Sequence, residues 1–231
     1  MKKYEYVYWD LDGTIWQHRG SSIELICDNL NVKSDEKMEI DFLYMIEEFN
    51  RRFKSKKVTK QEACKIIEET MPGLLFAGVS GKDFLDCWNS IKSNDLVPGV
   101  KEVLEYLKEK GKQNIVLSDW WLQRQVSQMK DFGILDYMER VYCAEDNFLK
   151  CNPLTIKRVL KPGTEDRSII IGDSLFSDIA FANQANIDCI WFNPNKKENQ
   201  TSLKVTYEIT SLKQVIDVIK WYLWENMGIW A

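Results

Sequence analysis

The 231 residues carry a net charge of −4, with 45% hydrophobic and 12% aromatic side chains. That is apolar material for one large domain, or a domain with a smaller insert, and too much for a disordered chain. The mildly acidic balance argues against a whole-surface attraction to nucleic acid or an anionic membrane, and no run of roughly 18 uncharged apolar residues offers a membrane span.

The six cysteines (Cys27, Cys64, Cys87, Cys143, Cys151, Cys189) show no C-x-x-C spacing, so zinc and thioredoxin-like chemistry have no support. A disulfide framework is not expected in a chain this long, which fits a reducing cytoplasm. After Lys2-Lys3 the sequence YEYVYWDLD is too short and too polar for the apolar region of a signal peptide.

The first element is an apolar run that ends in Asp10 and Asp12, within YVYWDLDGTIW at residues 6–16. From 16 to 96 no comparable strand is expected. Ser21-x-x-Glu24 and Thr59-x-x-Glu62 read as capping boxes, and Met38, Phe42, Met45, Ile46, Phe49 and Phe53 recur at helical spacing over 35–54. Lys82 to Ile91 predicts a further helix, and Pro98-Gly99 marks the return. From 97 onward short apolar runs alternate with helical periods. GVKEVLEYLKEKG is a helix stopped by Gly111, NIVLSD (114–119) a strand, and RVYCAE (140–145) another. A helix near 153–160, the strand SIIIGDS (168–174), a helix near 175–185, the strand DCIWFN (188–193), strand-like VTYEIT and a last helix over 211–224 complete the chain. The expected fold is α/β: a doubly wound, Rossmann-like parallel sheet built from 1–15 and 97–231, with an all-helical insert at 16–96.

In such a sheet ligands bind outside the carboxyl ends of the strands. Those ends carry Asp10 and Asp12, then Ser118, then Gly172-Asp173 with Asp178 five residues on, while the loop after the third strand supplies Lys150. Clustered carboxylates repel one another unless a cation neutralises them, and a hard divalent ion such as Mg²⁺ does so with carboxylates and substrate phosphate oxygens. Asp10 and Asp173 are the natural ligands, with Asp12 contributing through backbone nearby. Lys150 and the Ser118 hydroxyl would stabilise the oxygens of a phosphoryl group.

DLDGT, Ser118 after an apolar strand, Lys150 before a proline-containing loop, and GDSLFSD together resemble the haloacid dehalogenase superfamily. The resemblance implies that Asp10 is the nucleophile of a two-step phosphoryl transfer and Asp12 its acid/base, with Asp178 either orienting Lys150 or supporting the metal from behind its direct ligands. It implies too that the helical insert is a cap closing over the site. Dehalogenases of the superfamily lack an acid at the second position, so Asp12 favours phosphate chemistry. Two departures stand out. Asp119 follows the motif serine and places a charge near the phosphate, so its side chain is expected to turn away and leave its backbone N–H to bind substrate. Lys150-Cys151-Asn152-Pro153 replaces the more usual Lys-Pro-Asp-Pro, and Lys157 and Lys161 lie nearby.

Five cations fall within 51–57, best read as the solvated end of a helix, with attraction of anionic substrates as the alternative. His18 is read as a linker residue and Cys151 as structural. Trp16, Trp120 and Trp121 flank the crevice, either as packing or as faces for a base or sugar. The reading is a cytoplasmic Mg²⁺-dependent phosphatase, monomer or homodimer, acting on a small phosphorylated metabolite such as a nucleoside monophosphate or sugar phosphate. A phosphomutase, and a binding protein that keeps the fold with its aromatic C-terminal helix as an interface, are the alternatives.

Overall fold

The computed structural model describes residues 4–18, 22–54, 56–91, 94–144 and 149–226. Ser21 of the first expected capping box, and the aromatic tail past Asn226, lie outside them. The chain opens with strand β1 (Tyr6–Trp9) and strand β2 (Trp16–His18). Helices α1 (Ser22–Asn29), α2 (Glu36–Phe53), α3 (Lys60–Thr70), α4 (Pro72–Phe76) and α5 (Gly81–Ser90) follow, closed by strand β3 (Asn94–Leu96). Then come α6 (Val100–Glu109), β4 (Gln113–Leu117), α7 (Leu122–Asp131), β5 (Arg140–Tyr142), α8 (Pro153–Val159) and β6 (Ser168–Gly172). A π-helical turn (Leu175–Ile179) leads into α9 (Ala180–Ala185), β7 (Asp188–Phe192), β8 (Tyr207–Ile209) and α10 (Gln214–Asn226).

Six strands form one parallel sheet in the order β5-β4-β1-β6-β7-β8. β1 is central, and all four of its side chains are buried because both faces are covered. Period-two alternation sends Val7 and Trp9 to the face packed by α6 and α10, and Tyr6 and Tyr8 to the face packed by α8 and α9. The chain walks outward from β1 to β4 and β5, then returns and walks out through β6, β7 and β8. The switch point therefore lies at the carboxyl end of β1, between β4 and β6. The fold is the doubly wound, Rossmann-like one that the strand pattern predicts.

The insert has its own core, built from Ile26, Met45, Phe53, Ile66, Phe84 and neighbours. Its helices start where local chemistry satisfies their first N–H groups. Asp35 accepts from Met38 N at 2.9 Å, Thr59 accepts from Glu62 N at 3.3 Å, and Ser80 and Asp83 form a full capping box. Acids sit in the first turn of α2 and Arg51 and Arg52 in its last, which suits the helix dipole. Arg51 and Arg52 both bond Glu48, which accounts for part of the basic run.

One expectation is corrected. Residues 16–96 are not strand-free, because β2 and β3 pair antiparallel across the two ends of the insert, Trp16 opposite Leu96 and His18 opposite Asn94. The pairing joins residues far apart in sequence, so neither three-residue segment carries a local signal. It makes a two-stranded neck between insert and sheet, with His18 in it. α4 is also unanticipated; Pro72 in its first turn tolerates the missing N–H there. Among the described residues no helix is long and apolar enough to cross a membrane.

Candidate active site

The turn after β1 explains its acidic pair. Asp10 continues the strand, its N–H donating to Ile171 O at 3.0 Å. The Leu11 carbonyl then accepts from the N–H groups of Thr14, Ile15 and Trp16, while the Leu11 side chain is fully buried. Residues two apart share a face here, so Asp10 and Asp12 point together into the crevice. Gly13 turns the chain at φ 92°, and a β-carbon there would stand 2.6 Å from Asp173 Oδ2. Only glycine gives both the left-handed backbone and the close approach of the third acid.

Asp10 is buried, and Lys150 Nζ donates to its Oδ1 at 2.5 Å and to Asp178 Oδ1 at 2.6 Å. Asp178 accepts from Ser174 N at 3.0 Å through its other oxygen. Gly172 leaves the room for this, since a β-carbon there would lie 2.1 Å from the Asp178 carboxyl. Oxygens of Asp10, Asp173 and Asp178 come within 4.8 Å of one another. Asp173 sits at the open rim, touched by Thr14 Oγ1 at 3.4 Å.

The charges confirm the crowding. Burial raises Asp10 well above the usual carboxylate range, and the nearby Asp178 and Asp173 add to this against the pull of Lys150. Asp173 is pushed up to about 6, by the protein around its carboxyl and then by Asp178. For Lys150, burial works against the charge, but Asp10, Asp178 and Asp119 outweigh it and hold the ammonium protonated. An all-oxygen donor set in which Asp10 and Asp173 are both raised is what a hard divalent cation neutralises, so the cluster could hold one.

Asp12 is fixed differently. Its Oδ1 accepts from Trp16 Nε1 at 2.9 Å and from Arg124 at 3.0 Å, and its Oδ2 from Gln125 Nε2 at 2.6 Å. Gln125 also donates to Ser118 Oγ at 2.8 Å, tying the acid to the serine at the end of β4. Arg124 and Gln125 did not stand out in the sequence. The one signal was negative: α7 buries polar Arg124, Gln125 and Gln128 where an apolar stripe would be expected.

Asp119 turns its carboxylate onto the lysine loop, accepting from Lys150 N at 2.7 Å and from Ser177 Oγ at 2.8 Å. Beyond it, Asn152 caps α8 by accepting from Leu154 N at 2.9 Å, with Pro153 in the first turn. Lys150 rather than Lys157 or Lys161 reaches the acids, because those two lie farther along or beyond α8. Of the tryptophans, Trp16 packs beneath Asp12, Trp121 joins the insert core, and Trp120 faces the crevice. Asp10, Asp12, Ser118, Asp119, Lys150, Asp173 and Asp178 all line one cavity of about 250 Å³, and Ile46 and Trp88 reach into it from the insert.

A family model described as haloacid dehalogenase-like hydrolase matches residues 7–192. The chain belongs to that family of hydrolases. Among curated proteins it is 27% identical over 125 residues to the pyrimidine 5'-nucleotidase PynA of Streptococcus pneumoniae, a match covering 52% of this chain. The chain spans about half the length of that nucleotidase, 53% of it. To the putative HAD-hydrolase YfnB of Bacillus subtilis it is 22% identical, covering 95% of this chain and 97% of that one. The solved structure of YfnB bound to magnesium superposes with a TM-score of 0.74 at 20% identity, over 95% of this chain and all of the other. A 2-haloacid dehalogenase from Pseudomonas syringae gives 0.64 at 22% identity, covering 95% and 99%. These superpositions speak for the fold.

Proposed function

We propose that this protein is a Mg²⁺-dependent phosphatase that hydrolyses a small phosphorylated metabolite, a nucleoside monophosphate or a sugar phosphate, through an aspartyl-phosphate on Asp10. The observation that carries the reading is the pair of acids on one turn with opposite surroundings. Asp10 lies in the charged cluster with Lys150, and Asp12 is held by the neutral donors of Trp16 and Gln125 and by Arg124. A nucleophile and a proton carrier need such different environments. The nucleotidase, together with a glyceraldehyde 3-phosphate phosphatase of Pyrococcus furiosus and a ribulose-1,5-bisphosphate 5-phosphatase of Halopiger xanaduensis that are 28% and 26% identical over about half of this chain, supports the substrate class.

Asp10 attacks phosphorus, the bond from phosphorus to the leaving oxygen breaks, and Asp12 delivers its proton to that oxygen. A water then attacks the aspartyl-phosphate, Asp12 takes the water's proton, and the Asp10–phosphorus bond breaks to release inorganic phosphate. Lys150 and Ser118 stabilise the phosphoryl oxygens. Asp10 and Asp173, with backbone at residue 12, would hold the Mg²⁺, which supplies charge neutralisation around the phosphoryl group. The helical insert acts as a cap, and Ile46 and Trp88 help exclude water from the cleft. The test is phosphate release from a panel of nucleotides and sugar phosphates. Turnover that EDTA and Asp10→Asn both abolish upholds the reading, and a panel silent with Mg²⁺ present overturns it.

A further inference from the structure

The floor of the cavity is charged and polar, but the side under the insert is apolar among the described residues. Ile46 of α2, Trp88 of α5 and Trp120 form it. Trp120 is held in place rather than loose: its Nε1 donates to Asn89 Oδ1 at 3.1 Å, and its ring lies 4.1 Å from Trp88 at an interplanar angle of 51°. Phe42 packs behind Trp88 at 5.2 Å, and Phe49 stands 6.4 Å from Trp120. Trp120 nevertheless keeps part of its surface open toward the cleft.

Charge says what cannot go there. Five lining carboxylates face only two lining cations among the described residues, and both cations are engaged, Lys150 with Asp10 and Asp178, Arg124 with Asp12. One phosphoryl group and a divalent ion suit that balance, whereas a second anionic group would meet unmatched acids. The insert side chains that line the cavity among the described residues offer a sugar's hydroxyls little, since Ile46 is aliphatic and Trp88, packed among aromatic rings, has a single indole N–H.

From this the geometry points to a phosphomonoester whose leaving group carries a flat, uncharged ring that stacks on Trp120 beside Trp88: a nucleoside monophosphate rather than a simple sugar phosphate or a bisphosphate. This rests on the phosphatase reading and narrows it. Aromatic platforms bind bases without needing to read their edges, and truncating such a platform to alanine loses roughly ten- to hundredfold in affinity.

The test compares 5′-UMP, 5′-AMP and ribose 5-phosphate, which share one leaving alcohol and differ in the base. At least one nucleotide is expected to exceed ribose 5-phosphate about tenfold in kcat/KM. That ratio should collapse toward one in Trp120→Ala and recover in Trp120→Phe, which keeps a ring. A wild-type ratio of one or below, or a ratio untouched by Trp120→Ala, overturns the proposal. Should Trp120→Ala not fold, the wild-type and Trp120→Phe ratios decide. Binding is read separately by titrating the same compounds into Asp10→Asn and following tryptophan emission. Quenching by a nucleotide but not by ribose 5-phosphate, with no turnover by the wild type, would keep the base site and remove the phosphatase. Neither quenching nor turnover would remove both.

Discussion

Asp173→Asn isolates the cost of gathering acids at the end of β1. The pKa of Asp173 rises from 3.8 to about 6, first because protein surrounds its carboxyl and then because Asp178 is near. At about 1.4 kcal/mol per unit, that is at most about 3 kcal/mol of destabilisation once the group is ionised. The residue is open at the rim, where solvent screens the charge, so roughly 1 kcal/mol is the realistic share. The sign follows from the direction. A folded pKa above the unfolded one means that the folded state holds more protons between the two values. Stability therefore falls as pH rises from about 4 to 6, and the penalty is fully present above 6. Without metal near pH 7.5, Asp173→Asn should melt about 2–4 °C above the wild type, and the gain should vanish toward pH 4. Saturating Mg²⁺ should reverse the order, because only the wild type keeps the full ligand set; ligand at a hundred times its Kd adds about 2.7 kcal/mol. Differential scanning fluorimetry with EDTA and with Mg²⁺ reads all three. A substitution that lowers the metal-free melting temperature near pH 7.5 would refute the account of a repelling cluster.

Lys150→Met removes the cation that joins Asp10 to Asp178 in a buried site, so unfolding in urea should show a loss of about 3–5 kcal/mol; less than about 1 would mean that the acids do not depend on it. Gly13→Ala places a β-carbon against Asp173 on a left-handed backbone, and should cost about 1–2 kcal/mol while weakening Mg²⁺ binding measured by calorimetry. Unchanged metal affinity there would argue against Asp173 as a ligand. Because Asp173 holds its proton up to about pH 6, Mg²⁺ has to displace it at lower pH, so apparent affinity should weaken about tenfold per unit below that point. A pH-independent affinity between about 5 and 7.5 would contradict this.

Local patterns along the chain suffice for the sheet and its acids. Ile169, Ile170 and Ile171 in a row, and Tyr6 to Trp9 before Asp10, are local patterns whose burial on both faces follows from composition alone. The spacing of Asp10 and Asp12, and their place at a strand end, put them on one side of one turn before any coordinates are known. Tertiary structure decided what no local pattern encodes. β2 and β3 pair across about eighty residues, so their partner strand is invisible from either segment. Arg124 and Gln125 acquire their role because α7 lies under the turn after β1, which sequence spacing does not reveal. Asp119 looked like a misplaced charge until the fold brought the Lys150 N–H and the Ser177 hydroxyl to its two oxygens. Trp88 and Trp120, thirty-two residues apart, become one wall only when the insert folds back over the sheet. Chemistry along a strand is short-range and legible; who stands opposite is set by packing between distant segments.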